Sequence, residues 1–206
     1  MLWRDVTIPN SLTALRIILT PVFLFLLFSD APQFKQFSLV IFFVAAITDW
    51  YDGWIARTYG YVSRVGKFLD PLADKILALS TLFGFVHLGL INGWMVWIIL
   101  FRDVLITGLR TTAEVKDIPI VTSRSAQAKT FGEFIVIYYI LILYVAGTIP
   151  PIRAAYGPLL DSLMEREVLF GMMILVTIMT VGTGIMYIFD NRKFIRNLYA
   201  GLETAD

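Results

Sequence analysis

The chain has 206 residues, 58% of them apolar or aromatic and only 16% charged, with a formal net charge of +1. A soluble domain is nearer half apolar and a quarter charged, so a water-soluble globule is excluded, and the near-neutral balance points to no nucleic-acid partner. Without cysteine, and with His87 as the single histidine, disulfides and thiolate or imidazole metal sites fall away, which leaves oxygen to hold any metal.

Six apolar stretches approach or exceed the roughly 20 residues that a helix needs to cross a bilayer. In chain order they are Ile8–Phe28, Phe37–Ile55, Phe68–Leu90, Trp94–Leu109, Phe131–Ile149 and Val168–Phe189. They are continuous runs and not alternating strands, which excludes a transmembrane β-barrel. The first is too long for a cleavable signal peptide, and no small-residue cleavage site follows it. The expected fold is all-α, a single polytopic membrane domain over residues 1–206 with six transmembrane helices. Asp30 to Pro32 and Gly147 to Pro151 mark short turns where proline ends a span.

The cations orient this bundle. With six spans both termini share one side, which carries Arg4, then Arg57, Arg64 and Lys67, then Arg102, Arg110, Lys116, Arg124 and Lys129, then Arg192, Lys193 and Arg196. The other side has Lys35, Arg153 and Arg166. The positive-inside rule then puts both termini in the cytoplasm of a cell whose inner membrane holds the protein. Most of these cations serve topology and attraction to anionic membrane lipids.

Between the second and third spans the chain concentrates carboxylates. Asp49 and Asp52 are three apart and share a helix face with Gly53 and Ala56; Asp70 and Asp74 are four apart, with Gly66 a turn before. An ionised side chain at the centre of a span costs about 2.5 to 3.5 kcal/mol, so four within one short window need a reason. Hard oxygen ligands suit Mg²⁺ or Mn²⁺, four aspartates can hold two such ions, and a pair of ions is a known clamp for displacement at phosphorus. Gly53, Ala56 and Gly66 leave room for a ligand to approach the backbone, and Arg57 can pair with phosphate.

The pattern Asp-x-x-Asp-Gly-x-x-Ala-Arg, eight residues, Gly-x-x-x-Asp-x-x-x-Asp resembles the signature of the CDP-alcohol phosphotransferase family, and every fixed position is met between Asp49 and Asp74. Members are six-helix membrane enzymes, usually homodimers, that use Mg²⁺ or Mn²⁺ to displace CMP from a CDP-linked donor with an alcohol. The resemblance implies metal ligands at Asp49, Asp52, Asp70 and Asp74, and CDP contacts at Asp52, Gly53, Ala56, Arg57 and Gly66. It makes Asp74 the candidate base and leaves open whether Asp70 shares that duty.

Two further stretches bear on the acceptor alcohol. Asn10, Thr13 and Arg16 share a face of the first span, and Arg102 and Arg110 lie eight apart on the fourth, followed by Lys129 at the start of the fifth. A phosphorylated acceptor carries about two negative charges and would need clustered cations beside four carboxylates. Both stretches resemble those members of the family that use glycerol 3-phosphate with CDP-diacylglycerol as donor. The departures are Asp103, where those members usually have Glu, and Thr111, where Glu is frequent. Inositol phosphate, serine or phosphatidylglycerol are the competing acceptors. An intramembrane prenyltransferase or a divalent-cation transporter would also use intramembrane aspartates, but the first lacks Asp-Gly-x-x-Ala-Arg and the second spreads its carboxylates over several spans. For Arg102 the plain alternative is an ion pair with Asp103 or another buried acid.

Overall fold

The computed structural model describes residues 8–59, 64–115, 124–192 and 194–196, with side chains described within 15–48, 75–113, 128–192 and 194–196. The described elements are all helical: α1 (Ile8–Phe28), α2 (Pro32–Tyr59), α3 (Arg64–His87), α4 (Gly93–Val115), α5 (Arg124–Ala146), α6 (Pro150–Leu163) and α7 (Arg166–Asp190). The first apolar stretch coincides with α1. α2 extends beyond its apolar run at both ends, and α4 and α5 run on into polar sequence at one end, because a helix need not stop where the hydrocarbon does. His87 closes α3 and packs against the ring of Phe28 at 4.8 Å.

α6 has no counterpart among the expected spans. Pro150 and Pro151 end the preceding turn and also start this helix, where a missing N–H costs nothing. Its 14 residues reach only about 21 Å. The other six helices have 21 to 28 residues, enough for the roughly 30 Å of hydrocarbon. Among the described residues, Ala128–Ala146 and Arg166–Asp190 are both long and apolar enough to cross a bilayer, while Leu15–Phe28, Pro32–Thr48 and Lys75–His87 form shorter apolar segments.

α1 packs on α2 and α3, α7 packs on α4 and α5, and α3 bridges the two groups through α4 and α5. Phe23, Phe42, Leu82, Phe85, Met95, Ile99, Ile137 and Ile140 are buried between them, with Phe42 set edge-on to Tyr138 at 5.3 Å. The outside is as apolar as the inside: Phe25, Phe101 and Phe131 are at least 70% exposed. The interior meanwhile holds Arg16, Asp103, Lys129 and Glu133, each at most 3% exposed. Such an arrangement suits lipid and not water as the surrounding solvent, and the all-helical character of the described residues is consistent with a membrane protein. The turn after α3 depends on Gly89, whose φ of 72° is open to glycine and strained for other residues.

Candidate functional site

The helical backbone carries Asp49 and Asp52 near the end of α2 and Gly66, Asp70 and Asp74 in the first half of α3. The side chains of Asp49, Asp52, Gly53, Ala56, Arg57, Gly66, Asp70 and Asp74, and those of Asn10 and Thr13, lie outside the described residues. What the backbone adds is that each aspartate pair sits within one helix, so the spacings of three and four place each pair on one face. The donor set is oxygen alone, which fits a hard divalent cation. Among the described residues no cluster of three or more His, Asp or Glu side chains could hold a metal ion.

The described side chains reveal a second charged centre. Asp103 on α4 is 1% exposed and is surrounded by three cations. Lys129 Nζ on α5 donates to both of its carboxylate oxygens at 3.0 and 3.1 Å. Arg102 donates to Oδ1 at 3.0 Å, and Lys75 of α3 donates to Oδ2. Lys129 also donates to Glu133 one turn further along α5, at 2.6 Å. Arg102 donates its other terminal nitrogen to Thr183 of α7 at 3.1 Å. Three helices therefore meet on one carboxylate, with α7 joined to it through Arg102, and the five ionised groups sum to one positive charge.

Local sequence explains how this centre is built. Lys129 and Glu133 are one helical turn apart, so they pair along α5. Gly184 on α7 admits the stem of Arg102, because a Cβ there would lie 3.0 Å from Arg102 Cγ. Arg102 Nε and Glu133 Oε1 find no hydrogen-bond partner among the described residues, leaving one donor and one acceptor unused in the centre. Beside Arg102 an apolar groove of about 400 Å³ runs between α4 and α7, lined by Trp97, Phe101, Leu105, Val181 and Ile185.

Of the residues expected to face an acceptor phosphate, the structure brings Arg102 and Lys129 together at Asp103 and leaves Arg110 exposed further along α4. Arg16 is buried in α1 at 2% exposure. Lys75 and Glu133 were not singled out by sequence reasoning. The available signal was a charge in the middle of an apolar helix, repeated at Lys75, Asp103 and Glu133.

Comparison with known proteins adds a second line of observation. A model of the family described as CDP-alcohol phosphatidyltransferase matches residues 6–187. A CDP-diacylglycerol–glycerol-3-phosphate 3-phosphatidyltransferase of Bacillus subtilis is 31% identical over 147 residues, covering 66% of this chain and 76% of that protein. A protein of the same name from Rickettsia bellii is 34% identical over 127 residues, covering 62% and 70%. A probable phosphatidylglycerophosphate synthase of Mycobacterium tuberculosis is 38% identical over 137 residues, covering 65% of each.

Proposed function

The chain belongs to the CDP-alcohol phosphatidyltransferase family, and we propose that it transfers the phosphatidyl group of CDP-diacylglycerol to glycerol 3-phosphate, releasing CMP. The observation that carries this reading is the complete eight-position motif laid along the end of α2 and the start of α3. The names of the three relatives supply the acceptor.

In this reading Asp49, Asp52, Asp70 and Asp74 would hold two Mg²⁺ or Mn²⁺ ions, which when bound would polarise the diphosphate and offset charge on the leaving CMP. Asp52, Gly53, Ala56, Arg57 and Gly66 bind the CDP moiety. Arg102, Arg110 and Lys129 draw in the acceptor phosphate, with Asn10, Thr13 and Arg16 completing the headgroup pocket. Asp74, with Asp70 beside it, takes the proton of the acceptor 1-hydroxyl as its oxygen bonds to the lipid-linked phosphorus. The bond from that phosphorus to CMP breaks, and CMP leaves with the electron pair. The groove between α4 and α7 offers an acyl chain an apolar seat beside Arg102.

The setting proposed is one six-span domain in the inner cell membrane, active as a homodimer, with both termini and the site on the cytoplasmic side. Single-cysteine labelling in intact cells checks the orientation without background, because the chain has no native cysteine. Labelling of the 116–124 loop from outside would refute it. For the chemistry, purified protein is incubated with CDP-diacylglycerol and, separately, glycerol 3-phosphate, inositol phosphate, serine or phosphatidylglycerol. CMP release with glycerol 3-phosphate is the expected result. Release with another acceptor alone would replace the acceptor, and release with none would overturn the reaction.

A further inference from the structure

Stability alone does not account for the centre on Asp103. One counter-charge neutralises a buried carboxylate, whereas three cations from three helices converge on this one. A buried ion cluster is commonly no more stabilising than apolar side chains of the same volume, and charge inside a membrane bundle is costly. What the cluster does supply is geometry. Lys75 directly follows Asp74 in the chain, and its bond to Asp103 pins α3 to α4 and, through Lys129, to α5. Successive helix positions are about 100° apart, so with position 75 held against α4, positions 74 and 70 fall about 100° and 140° around α3. On the other side of this tie α3 is held by apolar packing through Leu77, Leu82 and Phe85. Toward the motif, Lys75 is the first described side chain of α3, and it anchors the helix through a polar tie.

We propose that Asp103 is a positioning residue for phosphatidyl transfer: through Lys75 it sets the rotation and height of the first half of α3, and with them the carboxylates at 70 and 74. The same carboxylate holds Arg102 and Lys129, so the proton-accepting side and the acceptor-phosphate side of the reaction are referred to a single point. This inference rests on the role proposed above for Asp70 and Asp74, and not on any contact of Asp103 with substrate.

The test uses the purified full-length protein with Asp103→Asn, Asp103→Glu, Lys75→Met and the double variant Asp103→Asn/Lys75→Met. CMP release is measured with CDP-diacylglycerol and glycerol 3-phosphate, and Mn²⁺ alone is titrated by the electron paramagnetic resonance of the free ion. Asp103→Asn and Lys75→Met should each lower kcat by about tenfold or more while the KM for CDP-diacylglycerol stays within about twofold. Each should raise the Mn²⁺ Kd by about threefold or more. The double variant should be no slower than the slower single one, because both changes cut the same tie. Asp103→Glu should recover part of kcat. Wild-type kcat in either single variant, multiplied losses in the double variant, or an unchanged Mn²⁺ Kd would each overturn the proposal. Should Asp103→Asn fail to fold, Lys75→Met decides by kcat and Mn²⁺ Kd, since the Lys75 side chain is about a quarter exposed and methionine keeps its length. If the wild type releases CMP with no acceptor, the reaction is wrong, and the Mn²⁺ titration still decides the positioning role.

Discussion

The two charged regions of this bundle differ in sign and in reach. The window from Asp49 to Asp74 sets four aspartates against Arg57, Arg64 and Lys67, a surplus of acid. The centre on Asp103 sets Lys75, Arg102 and Lys129 against Asp103 and Glu133, a surplus of base. The first is assembled from neighbours three and four residues apart. The second joins residues 26, 28 and 81 positions apart. A local surplus of acid fits a site that takes in cations, and a long-range, mostly internally paired cluster fits one that holds helices in register.

The sharpest way to break this contrast is to change the acidic window. Replacing Asp49, Asp52 or Asp70 by Ala should abolish CMP release while leaving a folded membrane protein. Asp74→Asn, which keeps the shape and removes the base, should lower kcat by roughly a hundred- to ten-thousandfold. Normal turnover in any of the four would remove that residue from the site.

Next in size is a stability effect at the basic centre. Lys129→Met takes from Glu133 its described ion-pair partner and from Asp103 one of three cations. Breaking a buried pair on one side costs about 3 to 5 kcal/mol, whereas replacing both members by apolar groups can be neutral. Thermal melts in detergent should therefore show a large loss in Lys129→Met and a partial recovery in Lys129→Met/Glu133→Met. Equal melting of all three proteins would mean that the cluster holds nothing together.

A smaller effect separates donor from acceptor. Arg110→Gln should raise the KM for glycerol 3-phosphate by roughly ten- to a hundredfold, as expected for losing a charge-assisted hydrogen bond, and should spare the KM for CDP-diacylglycerol. Arg57→Gln should do the reverse. Unchanged kinetics in Arg110→Gln would make it an interfacial cation that serves topology.

The smallest effect calibrates the others. Arg153 and Asp161 on α6 form a two-bond ion pair at 2.7 and 3.0 Å, but both are about half exposed or more. Arg153→Ala should shift stability by less than about 1 kcal/mol. A loss as large as that of Lys129→Met would show that exposure, and not charge, had been misjudged.

These two regions also explain how far the sequence could be read. Helices and motif were accessible because both are local: an apolar run of about 20 residues specifies a helix whatever surrounds it, and carboxylates at spacings of three and four specify a face. α1 was found to the residue for that reason. The Asp103 centre was half visible, as the ion pair of Arg102 with Asp103, since the two are adjacent in the chain. Its contacts with Lys75 and Thr183 depend on which helices become neighbours, and no periodicity within one segment carries that information. α6 escaped for the opposite reason. It is short and carries Arg153 and Asp161 within its 14 residues, and its two prolines read as the end of one element when they are also the start of another.

That short helix bears on the parity of the proposed topology. α5 and α7 carry segments long and apolar enough to cross a bilayer, and α6, at about 21 Å, falls short of the thickness between them. In the proposed topology α7 therefore enters the bilayer from the face at which α5 leaves it, and Arg192 and Arg196, which follow α7, return to the face on which α5 begins. Some six more apolar residues in α6 would bring it to spanning length. An extra crossing would then carry the end of the chain to the opposite compartment, with every interhelical contact of α7 inverted.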